Sequence, residues 1–221
     1  MRMMGWIDPA RRPFVGALLL ALLHAVLFGL MFPPFGWYGL ALVAPAPLIV
    51  IALRTRGKWR SAAGAMLGAA PMWWFHHAWI GEISAAGMPA LVAYLCLWTG
   101  LFVVLGARMA RRWPRDWVML WAPLLWVALE FLRGEIVFNG YPWFMVGEVS
   151  RLGWGMYTAG LLVVLGSLCI AGPLWHVLED RSKLAGSLKD PRGWGILAAL
   201  FALSVFASIA RSPTIATGAR G

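Results

Sequence analysis

The sequence predicts an all-α integral membrane protein, a bundle of about seven transmembrane helices with its N-terminus in the cytoplasm and its C-terminus on the opposite side. Three observations lead there. The chain is 61% hydrophobic and 14% aromatic, with 15 Trp, yet only 13% charged, a composition far from that of soluble domains. Apolar runs long enough to cross a hydrocarbon layer recur along it, separated by short clusters of Lys and Arg. When those clusters are placed on alternate sides, fifteen of the nineteen basic residues fall on one face and four on the other, the asymmetry that marks a cytoplasmic surface.

Residues 1–12 form a short basic cytoplasmic segment with Arg2, Arg11 and Arg12, followed by an apolar run over 14–32. That run is long enough to span and ends in Phe32-Pro33-Pro34-Phe35-Gly36, without an A-x-A cleavage site, so it reads as a retained first helix rather than a signal peptide. The two prolines and Gly36 make a turn. A second helix is expected over 37–53, kinked at Pro45 and Pro47 where neighbours can satisfy the freed carbonyls. Arg54, Arg56, Lys58 and Arg60 then mark a cytoplasmic loop.

The third span, 61–80, opens with small residues and closes in Trp73, Trp74, Phe75, His76, His77 and Trp79. Gly64 and Gly68, four apart, allow close helix approach, and the tryptophans suit the far interface. His76 and His77 are adjacent and point about 100° apart on a helix, so they do not chelate as an i, i+4 pair would. A fourth span over 89–107 returns to Arg108, Arg111, Arg112 and Arg115. The fifth runs over 117–132, a long outer loop over 134–153, a sixth span over 154–178, a basic inner loop with Arg181, Lys183, Lys189 and Arg192, and a seventh span over 194–210. Residues 13–210 are thus read as one membrane domain and 211–221 as a short outer tail.

Glu130 and Arg133 stand three apart at the outer end of the fifth span. On a helix they share a face and can neutralise one another. Asn139-Gly140-Tyr141-Pro142 is rich in turn formers and leads into Trp143, an aromatic suited to the interface. An ionisable pair at membrane depth is a functional-site candidate, with a paired helix end that merely anchors the segment as the alternative reading.

The rest of the sequence excludes several kinds of chemistry. The net charge of +10 sits in loop clusters rather than along one face, which argues for topology signals and against nucleic acid. Cys96 and Cys169 lie in apolar runs without CxxC or Cys/His spacing, so neither a disulfide framework nor a metal site is expected, and both read as packing residues. The three lysines, Lys58, Lys183 and Lys189, all fall in inner loops, no serine sits in a G-x-S-x-G elbow, and no Gly-rich phosphate loop occurs. No catalytic residue and no cofactor are expected. Outside the Glu130 region the spans hold no Asp, Glu, Lys or Arg, and their histidines are His24, the His76-His77 pair and His176, too few for a transporter's midplane site.

Several segments taken in order resemble a known family. They are FPPFGWYGLALVAPAPLI (32–49), WWFHHAWI (73–80), GMP (87–89), LWTGLF (97–102), RRWP (111–114), APLLWVALEFLRG (122–134) and GYPW (140–143). Together they are similar to the bacterial apolipoprotein N-acyltransferase, over about residues 14–210. That resemblance implies a multi-pass protein of the inner membrane with its C-terminus in the periplasm. It implies acyl transfer from a phospholipid to the N-terminal, diacylglyceryl-modified cysteine of a lipoprotein. In the family a periplasmic nitrilase-like domain with a Glu-Lys-Cys set follows the seventh helix, and a last helix follows that domain. It would begin where this chain ends, so no residue here inherits the catalytic role.

The expectation is a membrane half that works with a separate nitrilase-like protein, with phospholipid and diacylated lipoprotein as its ligands. Glu130, Arg133, Gly140, Tyr141, Pro142 and Trp143 would shape the mouth where acyl chains enter. Gly140 to Trp143 stand for the family's usual G-F-P-W, and Glu148 stands where an aromatic is expected after the glycine. The alternatives are a non-catalytic phospholipid- or lipoprotein-binding membrane protein, or a truncated remnant.

Overall fold

The computed structural model describes residues 4–148 and 156–179. Among these residues the protein is all-helical, with six principal helices, α1 (Pro13–Met31), α2 (Ala46–Arg54), α3 (Lys58–His76), α4 (Gly87–Arg112), α5 (Val118–Phe131) and α6 (Met156–Glu179). Four helical segments are long and apolar enough to cross a membrane: Pro13–Met31, Gly87–Arg112, Arg115–Asn139 and Tyr157–Trp175. The segment expected over 194–210 and the tail over 211–221 lie outside the described residues.

The second span differs from its expectation. One kinked helix was predicted over 37–53; the structure divides it into a 3-10 turn, Tyr38–Leu42, and α2. Proline disfavours helical backbone at the residue before it and supplies no N–H, so Pro45 and Pro47 fit the first turn of a new helix better than the middle of an old one. The break leaves carbonyls without helical partners, and the His24 ring on α1 meets that of Ala44 through Nδ1 at 2.7 Å. The apolar piece Tyr38–Arg54 is consequently shorter than the four spans.

α3 has the length of a span, 19 residues, but its Ala, Gly, Trp and His content leaves it outside the four most apolar segments. It packs instead against α1. A side chain at Gly64 would strike the carbonyl oxygen of Phe14, and one at Gly68 would strike that of Leu18, so the two backbones touch where the glycines stand. Ala17, Ala21 and Ala25 on α1 and Ala62, Ala65 and Ala69 on α3 are buried along this seam.

The helices alternate in direction, which gathers the basic residues at one end. There Asp8 takes a two-pronged contact from Arg54, Nε to Oδ1 at 3.0 Å and Nη2 to Oδ2 at 2.9 Å. The guanidinium carbons of Arg54 and Arg115 lie 4.5 and 4.4 Å from the Trp175 ring of α6, tying three segments together by cation–π contact. The other end is aromatic, with Phe32, Trp73, His76, His77, Tyr141 and Phe144 in mutual ring contact. The candidate site lies at this aromatic end.

Candidate functional site

The helix carrying Glu130 does not end as a regular α-helix. After Phe131 it widens into a single π-turn, Leu132–Ile136, then tightens into a 3-10 turn, Val137–Asn139. Such a change of pitch shifts every later side chain around the axis. It overturns the expected ion pair: Glu130 and Arg133 make no salt bridge with each other, and the ion pairs recorded among the described residues are those of Asp8. Both side chains are nonetheless buried, with 7% and 4% exposure.

Each charge is spent on the loop that follows. Glu130 Oε1 accepts the Val146 N–H at 2.8 Å, while Arg133 Nη2 donates to the Phe144 carbonyl at 3.1 Å. The Arg133 carbonyl in turn accepts the Tyr141 N–H at 2.7 Å. From the far side of the loop, Glu148 Oε2 accepts the N–H of Phe144 at 3.1 Å and of Met145 at 3.4 Å. A carboxylate accepting backbone amides makes stronger bonds than a neutral acceptor would. Three charged side chains therefore hold one short stretch of backbone, residues 144–146, and the Arg133 carbonyl holds Tyr141 before it.

That stretch needs holding. Phe138, Asn139 and Phe144 have φ of 52°, 69° and 59°, a region costly for residues with a Cβ. Gly140, at φ 87°, sits so close to the Gly134 carbonyl that a Cβ would collide with it, so glycine is required there. The reward is placement. Tyr141 turns inward to hydrogen-bond His77 Nε2 through its hydroxyl, and His77 Nδ1 meets the Trp73 carbonyl at 2.8 Å. A carbonyl only accepts, so Nδ1 carries the proton, Nε2 accepts, and Tyr141 is the donor. Burial pushes the Tyr141 hydroxyl up to about 12 despite the opposing pull of Arg133, keeping it in the donating form.

Phe144, pointing into the same layer, packs on Phe32 at 4.9 Å, His76 at 5.0 Å, His77 at 5.2 Å and Trp73 at 5.8 Å between ring centres. It closes a small cavity (≈ 60 Å³) lined by His24, Trp73, Trp98, Trp126, Glu130 and Arg133, among others. Among the donors of that lining, Arg133 Nη1, Trp73 Nε1, Trp98 Nε1 and Trp126 Nε1 have no hydrogen-bond partner among the described residues. Buried donors of this kind call for an acceptor, and Arg133 Nη1 is a charged donor among them.

The six residues singled out in the sequence thus divide. Glu130, Arg133, Gly140 and Tyr141 build one connected network. Pro142 is exposed and Trp143 is 51% exposed, with its ring 5.7 Å from Tyr141 and 6.5 Å from Trp79. Sequence reasoning missed Phe144 and the loop-closing part of Glu148. It read His77 only as a failed metal ligand; His76, too, is engaged by a backbone carbonyl, that of Gly29 at 3.1 Å. The one available signal was the density of polar residues after the fifth span.

Comparison with known proteins identifies the family. A family model described as the apolipoprotein N-acyltransferase N-terminal domain matches residues 24–169. The apolipoprotein N-acyltransferase of Methylococcus capsulatus is 33% identical over 194 residues, covering 77% of this chain and 38% of the relative. That of Coxiella burnetii is 29% identical over 171 residues, covering 69% and 35%. Apolipoprotein N-acyltransferase 1 of Treponema denticola is 28% identical over 179 residues, covering 74% and 32%. The chain spans about a third of the length of these relatives. It belongs to the apolipoprotein N-acyltransferase family, by way of that family's N-terminal domain.

Proposed function

We propose that this chain is the membrane domain of an apolipoprotein N-acyltransferase, a multi-pass protein of the bacterial inner membrane. It would receive phospholipid and diacylated lipoprotein for acyl transfer to the lipoprotein's N-terminal cysteine. In this reading seven helices cross with the N-terminus cytoplasmic, and the aromatic end faces the periplasm. The observation that carries it is the clamped loop over the buried Arg133, whose free Nη1 lines a cavity walled by indoles. A guanidinium held in this way suits a phosphate or ester oxygen.

The chemistry itself would come from a nitrilase-like module outside these 221 residues, held on a separate subunit. What supports this is the placement of the thiols. Cys96 is buried inside α4 at 4% exposure, and Cys169 lies within α6, each inside an apolar helix rather than at the aromatic end. Glu130, Arg133 and the Gly140–Tyr141–Pro142–Trp143 turn would then shape the entry for acyl chains.

The test is an acyl-transfer assay on a diacylated lipoprotein peptide with phospholipid, in membranes depleted of resident acyltransferase. The chain is supplied alone and with nitrilase-like proteins of the same genome. Activity only with a partner is the expected result, and Arg133→Ala should then lower it while the protein stays in the membrane. Activity from the chain alone would overturn the two-subunit reading. Lipid binding without turnover under any pairing would make the chain a binder instead.

A further inference from the structure

At the basic end of the bundle, far from the clamped loop, the structure brings together charges that come from separate parts of the sequence. Pro13, Arg56, Gly57, Lys58, Trp59, Arg60 and Arg111 line one open groove. Arg56 comes from the α2–α3 connection, Lys58 and Arg60 from the first turn of α3, and Arg111 from the last turn of α4. Among the described residues none of these cations is paired with a carboxylate. Topology rules place basic residues on one side of a membrane, but they do not require them to converge. Convergence of like charge is unfavourable, and here desolvation first, then the nearby Arg108 and Arg111, lower the pKa of the Lys58 ammonium from its ordinary value.

The groove is also built rather than draped. Gly57 N–H donates to Thr55 Oγ1 at 3.1 Å, Thr55 and Ser61 hydroxyls meet at 2.6 Å, and Ser61 Oγ donates to the Pro13 carbonyl at 2.7 Å. Since the last acceptor is a carbonyl, every hydroxyl proton in the chain points the same way. Thr55 and Ser61 are buried, at 7% and 0% exposure. This relay fastens the connection bearing Arg56 and the first turn of α3, bearing Lys58 and Arg60, to the start of α1. Trp59 beside them is 69% exposed, an aromatic ring at the level where headgroups meet chains.

We propose that this groove is a binding site for the headgroup of an anionic phospholipid from the surrounding leaflet, separate from any acyl donor site at the aromatic end. The pinned connection and first turn of α3 set three cations, α4 supplies a fourth, and Trp59 stands where the glycerol backbone would lie. A basic pocket between helix ends, at headgroup level, is the setting in which such lipids are held. A zwitterionic headgroup brings its own cation into the groove and is disfavoured.

The experiment is native mass spectrometry of the purified protein in detergent, titrated in parallel with dioleoyl phosphatidylglycerol, dioleoyl phosphatidylcholine and inorganic phosphate. The expected result is retention of phosphatidylglycerol over phosphatidylcholine. The double substitution Lys58→Ala with Arg111→Ala should weaken that retention by roughly thirtyfold, each cation at a lipid surface contributing about fivefold. Arg112→Ala with Arg115→Ala removes the same charge from the same end outside the groove and should leave retention near wild type. Equal weakening in both doubles would show diffuse attraction and overturn the site. So would equal retention of the two lipids, or displacement of phosphatidylglycerol by millimolar phosphate, which would assign the groove to soluble anions.

Discussion

Glu130 and Arg133 reach the same loop two residues apart, the carboxylate at the Val146 amide and the guanidinium at the Phe144 carbonyl. Each charge satisfies a buried backbone group that would otherwise be stranded. Glu130→Ala should therefore destabilise the protein by about 1–3 kcal/mol, the cost of leaving a buried N–H unpaired. Glu130→Gln keeps a carbonyl acceptor and should lose much less. Thermal unfolding in detergent distinguishes them, and equal losses would show that charge rather than the hydrogen bond matters.

The Tyr141–His77 bond joins residues 64 apart. Removing the hydroxyl in Tyr141→Phe leaves Nε2 buried without a donor, at a cost of about 1–3 kcal/mol. In a double-mutant cycle with His77→Ala the two effects should couple by about 0.5–3 kcal/mol. Additive losses would mean that the bond contributes nothing to stability.

Close approach of α1 and α3 makes a sharper test. Gly68→Val should drive the helices apart at the Leu18 carbonyl and cost at least the 1–3 kcal/mol typical of overpacking, seen as faster proteolysis of the purified protein. Gly39→Ala, where a Cβ meets nothing within 4 Å, is the control and should behave as wild type.

Acid should weaken the basic end. Burial raises the Asp8 carboxyl, but the Arg54 hydrogen bonds and charge outweigh it, and the net shift is downward from 3.8. A carboxylate depressed in the folded state contributes stability that is complete above the unfolded value and disappears as pH falls through the lower folded one. Asp8→Ala should consequently cost about 3 kcal/mol at neutral pH by stranding the largely buried Arg54. The gap to wild type should close as pH falls below about 4. A gap independent of pH would show that the contact is steric.

Much of the fold was legible because membrane burial leaves long periodic traces. The run before Phe32, the glycine pair on α3, and the Arg clusters each marked a feature the structure contains. The second span divides rather than kinks because Pro45 and Pro47 fit a helix start better than a helix middle, while the expected neighbour for a freed carbonyl is there, His24 at Ala44. At the site, Glu130, Arg133, Gly140 and Tyr141 stood out by residue type alone. Their arrangement did not, since a π-turn changes which residues share a face and no spacing in 121–143 announces one. Phe144 was invisible for a different reason. An aromatic among fifteen Trp and eleven Phe carries no local mark that it, rather than Trp143, turns inward.

The glycine contacts between α1 and α3 have a mechanical consequence. Where backbones touch there is no layer of flexible side chains to shear, so the two helices swing as a single post. Any separation of neighbouring helices must then occur along a seam cushioned by side chains. Gly160 of α6 against the Val127 side chain of α5 marks such a seam, and it runs alongside the helix that ends at Glu130.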